Sequence, residues 1–354
     1  MRTDHSPESI RKGNIVEQLQ AATFPGLVDL ASERLGGKAI IASDEFFAEK
    51  ENLLKPGRGI FIPDKYTDRG KWMDGWESRR KRTPGHDWCI IRLGLAGVIK
   101  GMDIDTNHFL GNNPAYASLD ACIANEDATG EHLSRSNWVE VLAKSPIRPG
   151  SQNLFAIASA NRWTHLRLNI YPDGGVARFR VYGEVVPDWN RIAKDGPVDL
   201  ASVANGGIVT AASDMFFGAK ENLIMPGRAA NMGDGWETKR RRGPGYDWAI
   251  IKLGRSGQIK KVEVDTNHFK GNFPDTCTLE ACDAGGKMVD GLNWTEFPWR
   301  ELLPTQKLQA STQHVYEKEL KDVGVCTHVK LNVYPDGGVS RLRVWGKPGD
   351  GKGG

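Results

Sequence analysis

Leu168-Asn169-Ile170-Tyr171-Pro172-Asp173-Gly174-Gly175-Val176 reads as apolar and polar residues in alternation, then a turn, and it returns as Leu331-Asn332-Val333-Tyr334-Pro335-Asp336-Gly337-Gly338-Val339. Alternation with period two marks a half-buried strand. Proline presets the bend and glycine supplies the positive φ, which predicts a hairpin in each copy. The stretch therefore announces two things together, β-structure and duplication.

Working outward, three further blocks recur in the same order. Asp44-Glu45-Phe46-Phe47 through Glu51-Asn52-Leu53 to Pro56-Gly57-Arg58 returns as Asp214-Met215-Phe216-Phe217 through Glu221-Asn222-Leu223 to Pro226-Gly227-Arg228. Asp74-Gly75-Trp76-Glu77 returns as Asp234-Gly235-Trp236-Glu237, and Asp105-Thr106-Asn107-His108-Phe109 as Asp265-Thr266-Asn267-His268-Phe269. Solenoid repeats run ~20–50 residues, so a period this long means two whole domains. The 354 residues accommodate two domains of roughly 100–200 residues each. Val28-Asp29-Leu30-Ala31-Ser32 matches Val198-Asp199-Leu200-Ala201-Ser202. The expected division is an N-terminal extension over 1–24, a first repeat over 25–183, a linker over 184–196, a second repeat over 197–346 and a flexible tail over 347–354. Both repeats are expected to pack against each other.

Strand signals dominate. Asp87-Trp88-Cys89-Ile90-Ile91-Arg92-Leu93 and Asp247-Trp248-Ala249-Ile250-Ile251-Lys252-Leu253 are short apolar runs bounded by Gly-rich turns, and Met102 to Asp105 and Val262 to Asp265 alternate. Helical signals are confined to one turn near Ser43 to Ala48 and a short helix over Val315 to Lys321. Many short strands without β-α-β alternation predict an all-β fold of antiparallel sandwiches or jelly rolls.

Composition excludes several classes. A net charge of +3 is too balanced for a nucleic-acid partner. No apolar run is long enough to cross a bilayer and the first residues lack a signal-peptide core, so no membrane association is expected. Five cysteines without a Cys-x-x-Cys pair fit a reducing, cytoplasmic compartment. Cys122 and Cys282, the two at matching positions, read as small buried apolar side chains. The basic runs Arg79-Arg80-Lys81-Arg82 and Lys239-Arg240-Arg241-Arg242 read as solvated loops or subunit contacts. The alternating Arg178, Arg180, Arg341 and Arg343 read as exposed-face residues.

Candidate chemistry resides in the repeated blocks. Glu77 and Glu237 follow a Gly-Trp pair; partial burial there raises a carboxyl pKa and makes a general acid, while the neighbouring arginines offer an ion pair instead. Trp76 and Trp236 are pocket walls or loop anchors. Counting back by twos sets His108 with Thr106, Ile104 and Met102 on the core side, and a functional His108 needs the strand to end or bulge near Thr106. Asp105 and Asn107 take the other face. Arg58 and Arg228, after Pro-Gly, are forks suited to a carboxylate. No standard zinc, nucleophile-elbow or phosphate-loop motif is present.

This ordered double set of blocks, from about residue 25 to residue 346, resembles the allantoicase family, also called allantoate amidinohydrolases. The resemblance implies two tandem jelly-roll β-sandwich domains of the galactose-binding-like type and hydrolysis of allantoate to ureidoglycolate and urea in purine (allantoin) degradation. Such a substrate needs a cation for its carboxylate, polar groups for its ureido arms, an acid for departing urea and a base for water. Set against these needs, the catalytic candidates are Glu77, Asp105 and His108 with Glu237, Asp265 and His268. The binding candidates are Arg58, Trp76 and Asn107 with Arg228, Trp236 and Asn267. No cofactor is required by these residues, a divalent metal is left open with its ligands unknown, and a homo-oligomer is expected. The rival class is a non-catalytic tandem sandwich that binds a carbohydrate or other small ligand. The copies differ by the insertion Gly59 to Lys71 and by His86 against Tyr246, which favours one principal site, in the first copy, where the longer loop covers a cleft.

Overall fold

The structure is a computed structural model that describes residues 24–349 apart from Asp195 and Met288. Of the expected N-terminal extension only Phe24 is described, buried against Tyr182; residues 1–23 lie outside the described residues, as do residues 350–354 of the expected tail. The chain divides into two compact units between Val186 and Pro187.

Each unit is an antiparallel β-sandwich built around one 19-residue strand, Asp87–Asp105 in the first and Asp247–Asp265 in the second. The first half of Asp87–Asp105 pairs with Lys38–Ala42 on one edge and Arg162–Tyr171 on the other. Its second half pairs with Leu154–Ala156 and Arg178–Val185. Beyond Arg162–Tyr171 lie Tyr116–Cys122 and then Val139–Pro146. The second unit repeats this order strand for strand. Period-two burial explains the arrangement: Cys89, Ile91 and Leu93 face a core shared with Leu119, Leu166, Leu168, Phe179 and Val181. A shift in the pairing between Tyr182 and Gly183 changes the phase of the alternation, so that Met102 and Ile104 join the apolar core, while Asp103 and Asp105 are buried on the opposite face.

Several expectations are corrected. Tyr171 to Val176 and Tyr334 to Val339 turn the chain but close no hairpin. The strands on either side, Arg162–Tyr171 and Arg178–Val185, both pair with Asp87–Asp105, and Gly175–Val176 pairs with Trp76–Glu77. Gly174 does adopt the positive φ, at 136°. Gly175 has a second constraint, because a Cβ there would meet the Phe109 ring at 1.9 Å. The helix expected over Val315 to Lys321 is instead the strand Gln313–Tyr316, laid on the edge of Val262 to Asp265. Pairing with the edge of the long strand decided the conformation of this segment. Arg178, Arg341 and Arg343 are buried, since carboxylates and carbonyls meet them inside. Pairing also runs past the expected boundaries: Glu184 and Val185 belong to one strand, and Lys347 and Pro348 to Arg341–Pro348.

Candidate active site

The two-residue strand Trp76–Glu77 lies against Gly175–Val176 and accepts an edge contact from Ala48. Trp76 is fully buried and its indole N–H donates to the Asp44 carbonyl at 2.8 Å. Trp236 repeats this with Asp214 at 2.8 Å. Both tryptophans are loop anchors with no face on a pocket. Because side chains alternate across a strand, anchoring Trp76 inward fixes Glu77 the other way.

Glu77 borders an open cavity of about 890 Å³ in the first unit, together with Asn112, Asn113, Asp173 and the basic run Arg79 to Arg82. Its Oε1 accepts from Asn112 Nδ2 at 2.7 Å. Burial pushes the Glu77 carboxyl up, against the opposing pull of the Asn112 bond. The alternative of an ion pair with its neighbouring arginines is not realised. Arg79 is committed to Asp44 at 2.7 Å and Lys81 to Asp87 at 2.7 Å. Asp173 accepts the Lys81 backbone N–H at 2.7 Å. Arg80 and Arg82 are exposed and have no side-chain hydrogen bond or ion pair among the described residues. The cavity therefore offers a buried carboxyl, an amide, a second carboxylate and two uncommitted guanidinium groups.

The other predicted residues form a separate cluster and do not line this cavity. Arg58 grips both oxygens of Asp105, at 3.0 and 3.1 Å. Its fork is thus used by an internal carboxylate, and Asp105 also accepts the Asn107 backbone N–H. Asn107 Nδ2 donates to the Gly59 carbonyl at 3.0 Å. The long strand ends at Asp105, and His108 sits at φ 69°. That conformation turns its ring out of the core line, exposed and stacked on Phe61 of the insertion at 5.5 Å. Beside them, burial pushes Asp103 up to about 6; bonds from Gln152 and Asn153 lower it, and the charge of Asp105 raises it.

The second unit repeats both clusters with changes. Glu237 and Asn272 are bonded at the edge of a cavity of about 610 Å³ that also holds Arg240, Arg241, Phe273 and Asp336. Glu237 is partly buried where Glu77 is buried. Arg228 pairs with Glu263 and with Asp265, whose Oδ1 accepts from the Asn267 N–H at 2.8 Å. His268 lies against the Ala229 carbonyl at 2.8 Å. No group of three or more His, Cys, Asp or Glu side chains converges as a metal site among the described residues. Four cavity residues were not among the candidates: Asn112 and Asp173 carried no functional reading, and Arg80 and Arg82 read as part of a solvated loop or subunit contact. The available signal was their recurrence as Asn272, Asp336, Arg240 and Arg242 in matched blocks.

A buried carboxyl beside exposed arginines, on a duplicated β-sandwich, is an arrangement that can hold a small anion and donate a proton to it. The family model for the allantoicase repeat matches residues 28–186 and again 198–349, and the chain belongs to the allantoicase family. It is 52% identical over 319 residues to the probable allantoicase 1 of Burkholderia mallei, covering 90% of this chain and 94% of that protein. It is 51% identical to the probable allantoicase of Photobacterium profundum, covering 92% and 98%. The crystal structure of allantoicase from Saccharomyces cerevisiae superposes with a TM-score of 0.77 at 39% identity, covering 95% of this chain and 98% of that one.

Proposed function

We propose that this chain hydrolyses allantoate in the cavity around Glu77 of the first unit. The single observation that carries the reading is the coincidence of a buried carboxyl of raised pKa with two uncommitted arginines in one cavity. Arg80 and Arg82 hold the substrate carboxylate, with Asn112 and Asn113 supplying hydrogen bonds to the ureido arms. Protonated Glu77 gives its proton to the leaving nitrogen as the bond from the α-carbon breaks and its electron pair departs with urea. Asp173 takes a proton from water, whose oxygen bonds to the α-carbon and yields the hydroxyl of ureidoglycolate. Hydrolysis thus consumes one water and leaves the acid and base to exchange their protons with solvent.

The Asp105–Arg58 and His108–Phe61 contacts support this cavity from beside it by fixing the loop from which Asn112 projects. Two further parts of the reading concern setting. All five cysteines are free and buried, which supports a cytoplasmic location, and no helix is long and apolar enough to cross a membrane among the described residues. Leu292, Val315 and Val325 stand exposed on the second unit, which supports assembly into a homo-oligomer. Purified protein incubated with allantoate is expected to release urea. No urea above the uncatalysed background, with and without added divalent metal, overturns the proposal.

A further inference from the structure

We infer that the second unit holds a second binding cavity for the same chemical class, a small carboxylate carrying a ureido group, and that this cavity does not turn its ligand over. The inference rests on the reading of the Glu77 cavity. Its ingredients recur within the second unit: Asn272 Nδ2 holds Glu237 as Asn112 holds Glu77, and Asp336 accepts the Arg241 backbone N–H at 2.8 Å as Asp173 accepts that of Lys81. Arg241 is spent on Asp247 and Asp275 on Lys307. Arg240 is exposed and carries no side-chain partner among the described residues, so one cation stands ready for a carboxylate. Its cavity, at about 610 Å³, has ample room for a ligand of this size.

What differs is the environment that makes an acid. Glu77 is buried at the cavity wall, whereas Glu237 is only partly buried. In the first unit Arg69 of the insertion donates to the Phe46 carbonyl at 2.9 Å and lies over its ring at 5.2 Å, which braces the Phe46 and Phe47 that line the cavity. The second unit lacks that insertion, and Phe216 and Phe217 are 71% and 62% exposed. Phe273 replaces Asn113 at the lining, which removes one hydrogen-bonding group for a ureido arm. Recognition of the carboxylate is retained, and the shielded proton donor is not.

The test uses N-carbamoylglycine, a ureido carboxylate that lacks the second ureido arm, in equilibrium dialysis with the full chain. Two equivalents per chain are expected for the unmodified protein and one for Arg240→Gln, an exposed position whose change leaves the melting temperature as a folding control. Glu77→Gln is expected to bind two equivalents still while its urea release from allantoate falls by on the order of a hundredfold or more. One equivalent in the unmodified protein, unaltered by Arg240→Gln, overturns the second site. Half the turnover surviving in Glu77→Gln overturns the claim that the second cavity is idle. Two equivalents bound by a protein that releases no urea remove the hydrolysis reading and uphold the second site.

Discussion

Asn112 Nδ2 donates to Glu77 Oε1 at 2.7 Å, although the two residues are 35 positions apart. The bond leaves the other carboxyl oxygen for the cavity and selects one rotamer of a buried acid. An amide donor also moderates the burial that raises the Glu77 pKa. The two effects oppose one another, with burial the larger, so the net shift of the Glu77 carboxyl is upward.

Glu77→Gln is expected to lower the rate of urea release by ~10²–10⁴, the usual scale for losing an acid–base group. In the unmodified enzyme the rate should fall as pH rises through the raised Glu77 pKa, because only the protonated form donates. A pH profile of kcat/KM checks both. Survival of that alkaline limb in Glu77→Gln assigns the limb to another group.

Arg80→Gln and Arg82→Gln are expected to raise KM for allantoate by on the order of tenfold each, with a smaller change in kcat, since they hold a charge that does not react. Steady-state kinetics separate the two. Their exposure and lack of internal partners predict unchanged melting temperatures.

Asp103, pushed up to about 6 chiefly by burial, makes stability depend on pH. A carboxyl whose folded pKa is raised keeps its contribution below the unfolded value near 4 and loses it as pH rises through about 6. Asp103→Asn is neutral at every pH and keeps one acceptor oxygen, so that either the Gln152 or the Asn153 bond is lost as a pH-independent offset. The variant should gain stability relative to the unmodified protein as pH rises from about 4 to about 6, by on the order of 2 kcal/mol, and hold that gain at higher pH, read from denaturant midpoints. A difference independent of pH refutes this.

Arg178 Nη2 meets Asp74 Oδ2 at 2.7 Å with both side chains buried. Arg178→Met strands that carboxylate and should cost ~3–5 kcal/mol of stability. The double variant Asp74→Asn with Arg178→Met should recover part of the loss. Chemical denaturation of the three proteins measures it, and an additive double variant contradicts the pairing.

The block Asp-Thr-Asn-His-Phe shows where sequence reading stopped. Its alternation placed Met102 and Ile104 in the core, as observed, and extended that face to His108, which is exposed. A strand end requires a change in φ, and nothing in the residue types from Asp105 to His108 encodes it unambiguously. The arginines after the turn were misread for a related reason: Arg178 alternates like a surface residue, and the carboxylate that buries it lies 104 positions away.

The sequence by itself determined the duplication, the all-β class and the repeated blocks that mark the family, because strand alternation and turn chemistry are local properties written in neighbouring residues. Only the tertiary structure decided which members of those blocks share a cavity. It brought Glu77 to Asn112 and left Arg80 and Arg82 without side-chain partners among the described residues, while it closed Arg58 onto Asp105 and buried Trp76. Those outcomes depend on burial and on contacts across long loops. Both are set by how sheets and connections pack, and residue types at fixed spacings do not carry them.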